Sequence, residues 1–165
     1  MHTTVLISTR ARFALHGLCY LARLPVEETT PFPRLFSHLA AWSPRMTLSR
    51  TYVGKVFQDL SRAGLVRAVP GRRGGYRLAC PPREITAFDV VRAVDRVVPE
   101  DSCLLADGRC AVQGRCGVSS VIREAVDAFY GVLATQTLEM LARRMVPPAP
   151  VRRKRAPARR RHLAP

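Results

Sequence analysis

From Thr9 to Leu24 the chain reads TRARFALHGLCYLARL. Phe13, Leu18 and Leu21 recur at the spacing of one helix face, with Ala14 and Gly17 offering small surfaces between them. Ser8 or Thr9 supplies a capping oxygen, and the three prolines of PVEETTPFP break the chain after it. RLFSHLAAW (Arg34 to Trp42) predicts a short second helix, and SPRM a loop. In TLSRTYVGKVFQDLSRAGLV the residues Val53, Val56, Phe57 and Leu60 fall on one face of a third helix, capped near Thr47 or Ser49 and closed at Gly64.

The period then changes. LVRAV and GYRLA are short, alternating segments on either side of PGRRG, the pattern of a β-hairpin with a glycine-rich turn. TAFDVVRAV predicts a fourth helix opened by Thr86 and Asp89 as a capping pair, with Asp a weaker partner than Glu would be. Pro99 to Gly117 reads as a loop. From about Ser119 to Met145 the stripe Ile122, Val126, Phe129, Leu133, Met140, Leu141 predicts one long helix. It is longer than a small domain needs, so its stripe is expected on a second subunit, with packing back on its own domain as the other reading. The tail from Pro147 is rich in Pro, Ala and Arg and reads as disordered.

Three helices followed by a two-stranded hairpin is the order of a winged helix-turn-helix. The fold class expected is therefore mainly α with a small β-hairpin wing, extended by a long helix. In that fold the third helix enters the major groove. Its exposed first turn would carry Ser49, Arg50, Thr51 and Tyr52, with Lys55 one turn on, all donors suited to base edges and phosphates. Arg72 and Arg73 at the wing tip would reach phosphates or a minor groove, with Gly74 and Gly75 allowing close backbone approach.

Charge strengthens this picture. The 165-residue chain carries a formal charge of +15. Seven of its 27 Lys and Arg lie in the tail, in Arg152 to Arg155 and Arg159 to Arg161, where they would add sequence-independent phosphate contacts. The remainder is still basic, which points to a polyanionic partner. No run of 18 uncharged apolar residues exists, and Arg10 and Arg12 interrupt the only N-terminal apolar stretch, so a cytoplasmic protein with no membrane partner is expected. No phosphate-binding loop, Ser/His/Asp set or paired carboxylates emerge, so an enzyme is not expected. An electron carrier would have no use for a basic wing.

Five cysteines (Cys19, Cys80, Cys103, Cys110, Cys116) without a secretion signal argue against a disulfide scaffold. Cys103, Cys110 and Cys116 fall within fourteen residues. Thiolates so grouped suit an iron–sulfur cluster or, with wider spacing than is usual, zinc. Thiol oxidation within the trio is a third reading. Cys19 and Cys80 read as small packed hydrophobes.

RFALHGLCYLA, YVGKVFQDLSRAGLVRAVPGRRGGYRLA and ITAFDVVRAVD, followed by three cysteines, resemble the Rrf-two family of bacterial transcriptional repressors over about residues 5 to 145. The resemblance implies a homodimer joined by the long helix and a pseudo-palindromic double-stranded DNA operator. It implies a cluster, 2Fe-2S or 4Fe-4S, on Cys103, Cys110 and Cys116 that senses redox state, nitric oxide or iron–sulfur status. It divides the chain into a DNA-binding domain (1–97), a cysteine loop (98–118), a dimerisation helix (119–146) and a basic tail (147–165).

The fourth ligand departs from the family pattern. Where some members place a histidine, this chain has Ser119, a good helix cap. Where others use an acid of the partner's first helix, it has Arg12. His16, one turn later, is the candidate the resemblance implies, against a partly buried structural histidine. Asp101, Asp107 or a small molecule are further candidates. On the third helix, Gly54 stands where some members carry a base-reading glutamate, so the operator cannot be carried over.

Overall fold

The computed structural model describes residues 7–42, 48–71, 74–95 and 116–146. The elements run α1 (Thr9–Leu21), α2 (Phe32–Trp42), α3 (Arg50–Arg62), β1 (Val66–Val69), β2 (Gly75–Leu78), a 3-10 turn (Pro82–Glu84), α4 (Ala87–Val94), α5 (Gly117–Thr135) and α6 (Leu138–Arg144). The winged helix-turn-helix order expected from the sequence is present. Among the described residues no helix is long and apolar enough to cross a membrane.

Helix α1 is the central strut. Its buried face carries Ala11, Phe13, Ala14, Gly17, Leu18, Cys19 and Leu21, and it touches α2, α3, α4 and α6. The small residues let neighbours come close. A Cβ on Gly17 would lie 2.7 Å from Cζ of Phe57, the fully buried aromatic of α3. Ser8 caps α1 by accepting from the Ala11 N–H, and α1 stops at Leu21, a turn short of the expected Leu24. Helix α2 starts earlier than expected, at Phe32, and buries Leu35 and Leu39.

Helix α3 is capped by Ser49, whose hydroxyl oxygen accepts from the Tyr52 N–H. The other expected cap, Thr47, lies outside the described residues. At its end Gly64 adopts φ +75°. The N–H groups of Gly64 and Leu65 then bond back to the carbonyls of Ser61 and Leu60, a closure that favours a left-handed residue. That turn feeds β1, which pairs antiparallel with β2 in the register Val66–Leu78, Arg67–Arg77, Ala68–Tyr76 and Val69–Gly75. Thr30, ahead of α2, adds a bridge to Tyr76 through two 2.9 Å backbone bonds. Tyr76 itself packs on Phe57, with ring centroids 4.9 Å apart. The Thr86–Asp89 capping box forms in both directions.

The predicted single helix over 119–145 is two. The apolar stripe of α5 runs 122, 126, 129, 133, and its next position falls on Gln136 and Thr137, both polar. There the backbone leaves the helix to bond elsewhere: Ala87 N–H to Gln136 carbonyl and Leu138 N–H to Ile85 carbonyl, each 2.8 Å. Thr137 then caps α6. α6 packs on α1 and on the 3-10 turn, with Leu138 fully buried and Ala142 buried. Thus the last part of the stripe folds back on its own domain. α5 does so along one side only: Tyr130 lies 5.4 Å from Phe88 of α4 and Leu133 rests against the core, whereas Ser119 is its one buried residue and Val118, Val121, Ile122 and Val132 are exposed. Nor does Ser119 cap this helix as expected. Cys116 is the N-cap and Ser119 sits inside the first turn.

Gly17→Ala is expected to lower stability. Overpacking against Phe57 costs about 1–3 kcal/mol, which outweighs the helix-propensity gain of up to about 1 kcal/mol. Urea unfolding of the full chain measures the difference.

Candidate DNA interface and cysteine site

The exposed first turn of α3 presents what the sequence predicted, with local differences. Arg50 and Thr51 are exposed, as is Lys55 a turn on. The Arg50 guanidinium lies 5.2 Å from the Phe36 ring centroid, so α2 supports it from below. Ser49 already uses its oxygen as a cap and keeps only its O–H to donate outward. Tyr52 rests edge-on against Phe13 of α1, centroids 6.2 Å apart, and remains 36% exposed. Gly54 stands in open space: a Cβ there would meet nothing within 4 Å.

The wing glycines are explained from within the chain. A Cβ on Gly75 would fall 1.9 Å from the Thr30 carbonyl oxygen, and one on Gly74 2.1 Å from that of Val69. Their requirement is therefore met by the Thr30 bridge and the tight turn, without any appeal to DNA. Arg72 and Arg73 lie outside the described residues. Arg67, absent from the residues expected at the interface, stands exposed on β1 opposite Arg77. Arg77 is ion-paired with Glu27. The alternation of Val66, Arg67 and Ala68 is the signal that points to it.

Behind α3, Asp59 receives Arg10 of α1 and, at 3.0 Å, Arg62. The start of α1 is also tied to the end of α4, because the Asp95 carboxylate accepts the Ser8 N–H at 2.8 Å and the Ser8 hydroxyl.

Of the cysteine trio, Cys103 and Cys110 lie outside the described residues, as do Asp101 and Asp107. Cys116 opens α5. Its thiol is held below the ordinary range chiefly by the Ser119 hydroxyl, then by the Ser119 N–H, against a small opposing effect of burial. The Ser119 oxygen is buried without a partner of full hydrogen-bond geometry and the Cys116 sulfur makes no cap hydrogen bond to the helix backbone, so both are loose contacts at the helix start. Cys19 is the opposite case: burial pushes its thiol up to about 12, which keeps it protonated and inert. Burial, with Glu84 and Asp89 nearby, also raises Cys80. Among the described residues no three His, Cys, Asp or Glu gather at metal-binding distance.

His16 is half-buried, its ring 4.5 Å from that of Trp42, and its Nδ1 is enclosed without a partner. Burial, then the Arg12 charge, lowers its pKa. It lines a cavity of about 470 Å³ with Leu15, Cys19, Trp42, Leu141 and Met145. His38 stacks on Tyr20 at 4.1 Å and accepts the Trp42 indole N–H at 3.0 Å. It too is held neutral, first by burial and then by His16 and Arg23.

Three helices, a hairpin wing braced by Thr30, and a cationic α3 face define a winged helix-turn-helix transcription regulator. Residues 7–144 match the Rrf2 family model, described as an iron-dependent transcriptional regulator. The chain belongs to the Rrf2 family, as its sequence blocks implied. It is 31% identical to the HTH-type transcriptional regulator NsrR of Geobacillus kaustophilus (strain HTA426), over 80% of this chain and 86% of that one. It is 38% identical to Protein aau3 of Rhizobium meliloti (strain 1021) over 97 residues, 58% of this chain and 63% of aau3, so less than two thirds of that relative is spanned. Among solved structures it is similar to CymR, the global cysteine regulator of B. subtilis. That match has a TM-score of 0.62 at 28% identity, covering 85% of this chain and 98% of that one.

Gly54→Ala, with room for its methyl, is expected to stabilise the free chain by up to about 1 kcal/mol in urea unfolding. A second expectation concerns His38, whose folded pKa lies below the ordinary 6.5. The neutral form is the folded form, so its stabilising effect is full above the ordinary value and is lost as pH falls through the folded pKa. Unfolding free energy measured from about pH 8 down to about pH 5 should decline. His38→Gln, which keeps an acceptor for Trp42, should flatten part of that decline.

Proposed function

We propose that this regulator is a repressor-type homodimer that binds a double-stranded operator and answers to an iron–sulfur cluster held by Cys103, Cys110 and Cys116. The observation that carries the reading is the place of Cys116 at the N-cap of α5, where a helix start lowers a thiol's pKa and so favours the ligating form. The family description as iron-dependent points the same way.

The donor set fits such a group. His16 suits the fourth position because its lowered pKa favours the neutral imidazole, which is the ligating form. The ligand would come across the dimer, since α5 leaves Val118, Val121, Ile122 and Val132 exposed and a second copy would cover them. When bound, the cluster supplies iron that reacts with nitric oxide or oxygen and changes redox state. The chain's own part is to read DNA. Arg50, Thr51 and Lys55 enter the major groove, Ser49 donates its remaining proton to a phosphate, and Arg72, Arg73 and Arg67 meet the backbone. Gly74 and Gly75 shape the wing and leave its backbone free to approach the duplex closely. The basic tail adds salt-dependent attraction. The compartment is the cytoplasm.

A second reading keeps the DNA binding and replaces the cluster by thiol oxidation or zinc at the same cysteines. It is favoured by the likeness to CymR, described as a regulator of cysteine.

The anaerobically purified chain is expected to show a visible absorption band with matching iron and sulfide, lost in Cys110→Ala and altered in His16→Ala. A colourless, iron-free chain after reconstitution would refute the cluster, and zinc analysis with thiol titration would then separate the two alternatives.

A further inference from the structure

Two contacts at the head of α1 face in different directions. Ser8 gives both its N–H and its hydroxyl to Asp95, at the end of α4. Arg10, two residues on, is ion-paired with Asp59 near the end of α3. Asp59 is only 18% exposed and also holds Arg62, so the pair sits against the protein surface and not out in solvent. Asp95 lies where three helices meet. Besides its contacts with α1, its charge reaches Tyr130 of α5, whose hydroxyl is raised first by burial and then by Asp95.

None of these groups lies on the first turn of α3, where DNA contacts are expected. Yet α3 cannot turn about its axis without moving Asp59 relative to Arg10, and α1 cannot move at its head without disturbing Ser8 on Asp95. The two joints share one turn of one helix, which Ser8 also caps.

We infer that Ser8, Arg10, Asp59 and Asp95 form a positioning relay that sets the azimuth of α3, and so decides sequence discrimination without touching DNA. The inference rests on the DNA-reading role of α3 proposed above. The relay holds the donors of Arg50, Thr51 and Lys55 at the angle that matches base edges. Phosphate contacts tolerate small rotations because a charge acts over distance, whereas bidentate base contacts do not. Loss of the relay therefore costs discrimination before it costs affinity.

The test uses the full chain and a duplex enriched from a random-sequence pool by the wild type, compared with a shuffled duplex of equal composition. Asp95→Ala, Asp59→Asn and Ser8→Ala are expected to lower the ratio of the two affinities about tenfold, the scale of one mismatched base pair. Affinity for the shuffled duplex and its salt slope should stay as in wild type. Ser8→Thr, which keeps the hydroxyl, should restore the ratio. Asp89→Ala breaks the α4 capping box without touching the relay, so it should lower the melting temperature but leave the ratio alone. An unchanged ratio in all three relay variants would overturn the inference. So would a ratio that follows melting temperature through the Asp89→Ala control. If the wild type enriches no sequence, the DNA-reading proposal itself fails, and the relay with it; enrichment by wild type with intact discrimination in the variants removes the relay alone.

Discussion

The fold turns on the absence of a side chain at Gly17. With no Cβ there, the Phe57 ring lies against the backbone of α1, and a methyl group would already be 2.7 Å from it. That contact sets the distance between α1 and α3. From Phe57 the packing passes to Tyr76 on β2, and from Tyr76 to the backbone of Thr30. Gly75 must be bare for Thr30 to approach. Two glycines, one in a helix and one in a strand, thus hold α1, α3 and the wing at separations that larger residues would not permit.

Around this apolar frame the polar groups divide into two kinds. Those in the interior are kept uncharged: Cys19 stays a thiol, and His16 and His38 stay neutral beside Trp42, because burial and neighbouring arginines both disfavour another positive charge. Those at helix ends are used as charges or as strong acceptors: Asp89 on Thr86, Asp95 on Ser8, Asp59 under Arg10. Cys116 belongs with the second kind, since its sulfur sits at a helix start where N–H groups favour the thiolate. The Cys116 thiol is lowered and the Cys19 thiol raised, and the distinction is position, at a helix start or in the core, rather than residue type.

Basic charge is spread over the chain, but its availability is not uniform. Arg10, Arg34, Arg62, Arg77 and Arg143 are each paired with an acid. Among the described residues Arg50, Lys55 and Arg67, exposed on α3 and β1, show no acidic partner, and neither do Arg12, Arg23 and Arg144 elsewhere on the surface. The first three lie on the face proposed to meet a duplex, where phosphate contacts would orient the protein. The exposed valines of α5 form a different surface, apolar where the first is charged, and suited to a second chain.

The element order was legible in the sequence because local signals agreed with one another. The stripe of Val53, Val56, Phe57 and Leu60 marked α3 and its buried face. Gly64 marked its end through a left-handed closure, and the capping pair Thr86–Asp89 marked the start of α4. The cationic first turn of α3 was legible too, since exposure follows directly from which face is apolar. The break at Gln136 and Thr137 was written in the sequence as two polar residues where the stripe needed an apolar one. Periodicity does not reveal it, because a helix of that length tolerates such a gap unless something else pairs with the freed backbone. Only the tertiary structure decided that Ile85 and Ala87 supply those bonds and that Leu138 turns inward. It alone decided that Gly74 and Gly75 serve the wing's own packing, and that Arg10 and Ser8 tie α1 to two other helices. Periodicity reports which face of an element is buried. It carries no information on which distant group will meet a given backbone N–H or carboxylate, because those partners lie up to 87 residues away in the chain.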